Sequence, residues 1–431
     1  MPPTPRLSIL DFPPEITAAI FVHCVADRPF FGPTKLPWLS QHEAPLLLGR
    51  ICRQWRDVAL STPELWNSIE VECPYFVEDI VPALDRWLLR SGNSPLTIDL
   101  QYRVHPDTSS DGILRLLKRH AHQLQTVTLH IPVEDVDNFE RVVGPFPALR
   151  KLALFSLRLS ASFELEHKIS AFSIAPELRD VHFKSGFSPA NITMPWSQLT
   201  TFRADTIPTS QFLRVLAQAP NLVSCQHTIY HATNIVVPVP PLLRLRKLAI
   251  LGIVPSTDLL AQLTTPALVR LEVNSLELDR WAAFITRSGC ALEHLAVDTT
   301  DWTAAMYTDA LTIVPSVTEL LGRRAGPSFY ILFGLLNDSP HFLPNLKRFS
   351  EDCEYCSIAR WPALRDGVTA CEMLLAMLES RRRSVQNARL ERFDLVTTAG
   401  LVGSAEHLRR LNALVDDGMT IDVEGSKSWG R

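Results

Sequence analysis

Two places in this chain carry side chains of the kind that bind metals or pass electrons. Cys353-Glu-Tyr-Cys356 has the spacing of half a zinc site or of a dithiol redox pair. A closed tetrahedral site needs two more soft ligands. The sequence offers neither a second Cys-x-x-Cys nor paired histidines at finger or ribbon distance, and His341 and Cys371 are the neighbouring candidates. Cys225-Gln-His227, with His231 beyond it, is the other place. Cys225 falls on the core position of a strand-like unit, so a buried thiol packing as a small hydrophobe competes with a ligand there. The chain has no Gly-x-Ser-x-Gly elbow and no Walker-type phosphate loop. Its other acids are dispersed, as on a solvated surface. The expectation is a protein with no catalytic residue, no metal and no cofactor, and not an enzyme.

Chemistry by contact has stronger support, near the N-terminus. Pro13 and Pro14 pre-set the backbone for a first helical turn, where a missing N–H costs nothing, and Glu15 complements the positive end of the helix dipole. Ile16, Ile20 and Cys24 recur every four residues with Ala19 and His23 alongside, while Phe21 and Val22 widen the apolar stripe. A second helix is predicted over 48–59. There Leu48, Ile51, Cys52, Trp55 and Val58 or Ala59 repeat at three and four, opposite Arg50, Arg53, Arg56 and Asp57. Ser61-Thr-Pro63 ends it, because the residue before proline is pushed out of the helical region. Helices this few and short cannot bury all their apolar side chains against one another, so some of that surface calls for a partner. The plainer alternative is a helical cap on whatever follows.

Leu10-Asp-Phe-Pro-Pro-Glu-Ile16, then Ile51-Cys-Arg-Gln-Trp-Arg56, then Ser61-Thr-Pro-Glu-Leu-Trp66 is a specific run. In this order it resembles an F-box, most closely the expanded F-box families of mushroom-forming fungi. Two departures stand out: Phe12-Pro13 replaces the usual Leu-Pro, and a proline- and aromatic-rich insertion, Asp27 to Ala44, separates the helices. The resemblance implies that residues 6–70 dock a Skp-type adaptor and through it a cullin. It also implies that Phe12, Pro13, Pro14, Ile16, Ile20, Phe21, Leu48, Ile51, Cys52 and Trp55 shape the docking surface. Phe21 and Trp55 are the candidate hot spots. If either is internal core instead, truncating it unfolds the module rather than undocking it. Leu65 and Trp66 are expected to tie the module to the rest.

Composition bounds the remainder. The 431 residues are 46% hydrophobic and 20% charged, as in a folded globular chain. A net charge of −4 with scattered cations gives no case for nucleic acid, and the one dense run, Arg381-Arg-Arg383, ends a helix-like stretch where cations suit the dipole. No unbroken apolar region marks a signal peptide, and no run of about 18 apolar residues marks a membrane span. Eight cysteines without a dense pattern suit reduced thiols, so the expected location is cytoplasmic or nuclear.

Beyond Trp66 a unit of the form Leu-x-x-apolar-x-apolar returns. Leu149-Arg-Lys-Leu-Ala-Leu154, Leu178-Arg-Asp-Val-His-Phe183, Leu245-Arg-Lys-Leu-Ala-Ile250, Leu268-Val-Arg-Leu-Glu-Val273 and Leu292-Glu-His-Leu-Ala-Val297 are the clearest copies. From Leu124 to Leu292 the leading leucines keep a leucine-rich-repeat period. The spacers read as helices ending at proline or glycine: 209–218 before Pro220, 257–263 before Pro266, and 278–288 before Gly289. The predicted fold is therefore α/β: an N-terminal three-helix F-box, then an irregular leucine-rich-repeat solenoid with parallel strands on one face and helices on the other. The expected division is 6–70 with its insertion 27–44, then 71–424, then a frayed tail at 425–431. An ordinary α/β domain with recurrent leucines is the competing reading. The implied function is substrate recognition for a Skp–cullin–F-box ubiquitin ligase, with an unknown protein client on the repeats. The alternative is a leucine-rich-repeat binding or scaffold protein outside the ubiquitin system.

Overall fold

The computed structural model describes residues 9–26, 39–73, 77–102, 111–131, 144–155, 168–184, 187–229, 236–252, 257–300, 302–324, 330–339, 341–353, 370–384, 387–397 and 405–424. Cys356, His231, the side chain of Cys353, most of the 27–44 insertion and the tail 425–431 lie outside the described residues. Packing divides the chain into two units, Met1–Ile207 and Pro208–Arg431.

The first unit opens with a single turn, Ile9–Asp11, and α1, Pro14–Ala26. The Pro13 carbonyl accepts the amides of Ile16 and Thr17, both at 3.1 Å, and the Thr17 hydroxyl at 3.3 Å, so the helix starts where the prolines place it. The second helix is not continuous. It runs as α2, Leu48–Ile51, and α3, Arg53–Leu60, with Cys52 extended between them at φ −152° and ψ 171°. Cys52 caps α3, its Sγ accepting the Trp55 amide at 3.4 Å. The 48–59 periodicity is thus real, but tertiary packing breaks the helix that carries it. A further turn, Pro63–Leu65, ends at Trp66.

Strands β1 (Ser68–Cys73), β2 (Leu96–Tyr102), β3 (Leu124–His130), β4 (Lys151–Phe155), β5 (Asp180–Lys184) and β6 (Thr201–Asp205) follow, with α4 (Val77–Arg90) and α5 (Asp111–Arg119) between them. Each strand pairs parallel with the next in chain order. Register aligns Ile69, Ile98, Val127, Leu152, Val181 and Phe202 in one row, and Val71, Leu100, Leu129, Leu154, Phe183 and Ala204 in a second. All twelve are buried, which makes alternate strand residues the core face.

The second unit holds β7 (Ser224–Ile229), β8 (Lys247–Gly252), β9 (Arg270–Val273), β10 (His294–Asp298), β11 (Glu319–Arg323), β12 (Arg348–Cys353), β13 (Arg392–Thr397) and β14 (Thr420–Glu424). Its helices are α6 (Thr209–Gln218), α7 (Thr257–Gln262), α8 (Leu278–Ser288), α9 (Ala304–Leu311), α10 (Tyr330–Asp338), α11 (Ala370–Arg383) and α12 (Ala405–Asp416). From β7 to β14 successive strands again pair in parallel. Helix side chains cover the inward face: Phe212 of α6 stacks on His227 at 4.4 Å, and Phe333 of α10 meets Phe349 and Phe393 at 6.0 and 6.3 Å. Gly289 ends α8 in the left-handed region at φ 59°, as its place in the sequence predicts.

The architecture within each unit is α/β, a leucine-rich-repeat-like stack of parallel strands with interleaved helices. Neither a lone strand nor its helix buries its apolar face, so neighbours stack. The sequence reading passes over α9, β11 and α10. The β11 unit, Val317-x-x-Leu320-x-Gly322, has valine for the leading leucine and glycine for an apolar residue.

Candidate functional site

The residues singled out for docking separate by depth. Phe21 is 1% exposed and Leu48 is buried, so both serve this chain's own core instead of a surface. The reason is mutual packing. Phe21 meets the Trp55 ring edge-on at 4.9 Å where α1 packs on α3, leaving Trp55 half-buried. Ile20 and Cys52 are also half-buried. Phe12 (39% exposed), Ile16 (50%), Ile51 (53%), Pro13 and Pro14 face solvent. Gln54 Nε2 donates to the Leu10 carbonyl at 3.0 Å, tying the opening turn to α3 and holding Leu10 and Phe12 beside the helices.

Leu65 and Trp66 are fully buried, as their expected role requires. Trp66 takes the leading position of the first repeat, Trp66-x-x-Ile69-x-Val71. Its Nε1–H donates to the Ala59 carbonyl at 2.8 Å, its ring meets Trp87 of α4 edge-on at 5.0 Å, and the Arg90 guanidinium lies 4.5 Å from its centroid. One side chain thus joins the α3 end, the β1 repeat and α4.

The outward strand residues form a second kind of surface in each unit. In the first, Phe155 is flanked edge-on by His130 at 4.4 Å and His182 at 5.1 Å, with Lys184 Nζ 5.8 Å from its centroid. His182 Nε2 lies 3.1 Å from Asp205. His130 Nε2 lies 3.5 Å from Asp99, too long for a strong hydrogen bond. Burial, then the Lys184 charge, lowers the His130 imidazole to about 4, so it is neutral at pH 7. Burial, then the Glu70 carboxylate opposite in register, raises Asp99 to about 7.

In the second unit the outward face carries ion pairs and one histidine–carboxylate contact. Arg323 pairs with Glu272, His294 Nδ1 lies 2.6 Å from Glu319, Arg348 approaches Glu319 at 4.0 Å, and Arg392 meets Asp394 at 2.8 Å.

No family model matches the chain, and no curated protein matches it. Among solved structures, one titled "Crystal structure of TLR13-ssRNA13 complex" is 13% identical with a TM-score of 0.29, covering 83% of this chain. The chain spans 61% of that structure's length. A likeness at this TM-score carries no argument about fold or function.

The metal candidates divide. Cys225 is fully buried and desolvation pushes its thiol far up, so it stays protonated and inert. His227 is occupied by its stack on Phe212, with the Thr209 hydroxyl at 3.4 Å. Among the described residues no group of three or more His, Cys, Asp and Glu is arranged to hold a metal, and no helix is long and apolar enough to cross a membrane.

Sequence reading missed the pairing of Gly322 with Glu351. The two are opposite in register, Glu351 occupies an inward position, and a β-carbon built at Gly322 would overlap its carboxylate. The legible signal was Phe349-x-Glu351, an acid where other repeats end in an apolar residue.

Proposed function

We propose that this chain is a substrate-recognition adaptor of the F-box kind, binding a Skp-type adaptor through its N-terminal helices and a client through the outward strand face. One observation carries the reading. Of the thirteen large hydrophobic residues exposed among the described residues, six (Leu10, Phe12, Ile16, Leu47, Ile51 and Leu60) belong to the first sixty positions. Exposed apolar side chains concentrated on one small helical segment are the signature of a surface that another subunit covers. The motif run resembling an F-box supplies the identity of that subunit. A cullin would join through the Skp-type adaptor.

The mechanism needs no catalytic group in this chain. Holding a lysine-bearing client beside a ubiquitin-charged thioester raises effective concentration, and that is the whole contribution. Phe12, Ile16 and Ile51 are the residues for this contact, because their side chains are free to meet a partner without leaving the core.

The test is affinity capture of the full chain with a Skp-type adaptor, comparing wild type with Phe12→Ala, Ile16→Asp, Ile51→Asp. The expected result is a stoichiometric complex for wild type and none for the variant, with superimposable urea unfolding curves. A variant that unfolds like wild type yet captures the adaptor at full yield overturns the assignment. Failure of the wild type to capture it leaves the repeat scaffold acting outside the ubiquitin system as the surviving reading.

A further inference from the structure

The ion pairing on the outward face of the second unit stops at one edge. From β9 to β13, Arg323, Arg348 and Arg392 each meet a carboxylate. At β8 the pattern changes. Arg244, Arg246 and Lys247 are exposed and make no ion pair among the described residues, and Lys247 lies opposite Arg270 in the parallel register. The side-chain partner of Arg270 is the His294 imidazole, whose Nδ1 lies 3.3 Å from the guanidinium and 2.6 Å from Glu319, so among the described residues Arg270 meets an acid only through that ring. Neighbouring strands are about 4.8 Å apart, and like charges directly opposite destabilise a sheet. Positive charge therefore collects at Arg244, Arg246 and Lys247 with no carboxylate among the described residues paired directly to them.

Apolar surface adjoins it. Leu243 is 67% exposed, and exposed Val223 accepts the amides of Arg246 and Lys247 at 2.8 and 3.0 Å, which fixes it beside them. We propose that Arg244, Arg246, Lys247 and Arg270, with Leu243 and Val223, form a docking surface for an acidic polypeptide segment that carries an aliphatic side chain. Carboxylates of the segment take the guanidinium and ammonium groups, and its aliphatic residue covers Leu243 and Val223. The cations are few and local on a chain of net charge −4, which suits a short acidic stretch over a long polyanion. Calling that segment a client rests on the adaptor reading; the surface itself does not.

The experiment uses the full chain and a short fluorescein-labelled Glu/Asp peptide with a central leucine, followed by anisotropy. Wild type is expected to bind it saturably, and more weakly as salt rises. Arg246→Glu, Arg270→Glu should weaken binding by about tenfold or more, and the milder Arg246→Gln, Lys247→Gln by less. Arg214→Glu, an exposed reversal on α6, should leave binding unchanged. The proposal is overturned by no binding to wild type, or by equal binding to a charge-reversed variant whose unfolding curve is intact. A preference for a phosphorylated peptide or single-stranded RNA of equal length also overturns it. Peptide binding that persists while capture of the Skp-type adaptor fails sinks the adaptor reading alone, and the converse sinks this inference alone.

Discussion

Glu351 is the residue whose position departs furthest from its neighbours'. Its row of inward residues otherwise runs His227, Ile250, Val273, Val297, Gly322 and Leu395, yet Glu351 is 1% exposed and neither oxygen has a partner among the described residues. Burial first, and the Asp352 charge second, push its carboxyl up to about 8 from a normal 4.5, so it is mostly protonated at neutral pH. The folded chain then holds this proton more tightly than the unfolded chain does. Stability is greatest below the unfolded value, is lost as pH rises from about 5 to about 8, and levels off above that. Urea unfolding across that range should show a falling midpoint for wild type and a flatter one for Glu351→Leu, which should also be the more stable at the alkaline end. Equal slopes would remove Glu351 as the cause. Gly322→Ala should cost about 1–3 kcal/mol by overpacking. Paired with Glu351→Ala it should cost less than the two single changes together, because the clash is theirs alone.

Among the elements, α11 shows how one repeat is fastened to another. Arg381 near its end is buried and donates to the Leu336 carbonyl in the last turn of α10 at 2.8 Å, and to the Leu343 carbonyl at 3.1 Å and the Phe342 carbonyl in the turn that follows α10. Arg287 of α8 does the same for α7, reaching the Leu260 and Leu263 carbonyls at 2.8 and 2.7 Å. The last carbonyls of a helix have no intrahelical partner, and a guanidinium with five donors in a fixed fork can satisfy several at once. Burial lowers the Arg381 pKa to about 10, which still leaves it charged at neutral pH. Arg381→Met should therefore destabilise by about 2–3 kcal/mol, through carbonyls left unpaired, while exposed Arg383→Ala should stay within about 0.5 kcal/mol of wild type. Thermal unfolding of the two variants decides this, and equal effects would refute the fastening role. The run 381–383 reads in sequence as charge near a helix end. That Arg381 and Arg382 are buried while Arg383 is exposed is visible only once the neighbouring repeats are in place. In the N-terminal helices, Trp66→Ala should cost about 3–5 kcal/mol, since its cavity would open between α3, β1 and α4. Phe21→Ala should likewise lower stability, whereas Ile51→Asp should not. The same melting curves check both.

For the molecule as a whole, a stack of repeats has stability that varies along its length, because each strand relies on its neighbours. The inward residues of β10, Leu295 and Val297, are buried, whereas Ile421 and Val423 of β14 are only half-buried. Amide exchange should therefore reach β14 well before β10. Comparable protection in the two would argue that the second unit unfolds as one cooperative block.

Read alone, the chain already specified most of the repeat pattern. Leucine spacing located β3 to β10, the caps and breakers placed α6, α7 and α8, and Pro13-Pro14 set the start of α1, because these signals are carried by residues within a turn or two of one another. β11 escaped because valine and glycine stand in for the usual apolar residues. The tertiary structure alone decided the break at Cys52, the burial of Phe21 and Leu48 beside the exposure of Ile16 and Ile51, and the fit of Glu351 against Gly322. It also decided which outward arginines find a carboxylate and which do not. Each of these depends on register or packing between segments far apart in sequence, and periodicity along a chain holds no information about that.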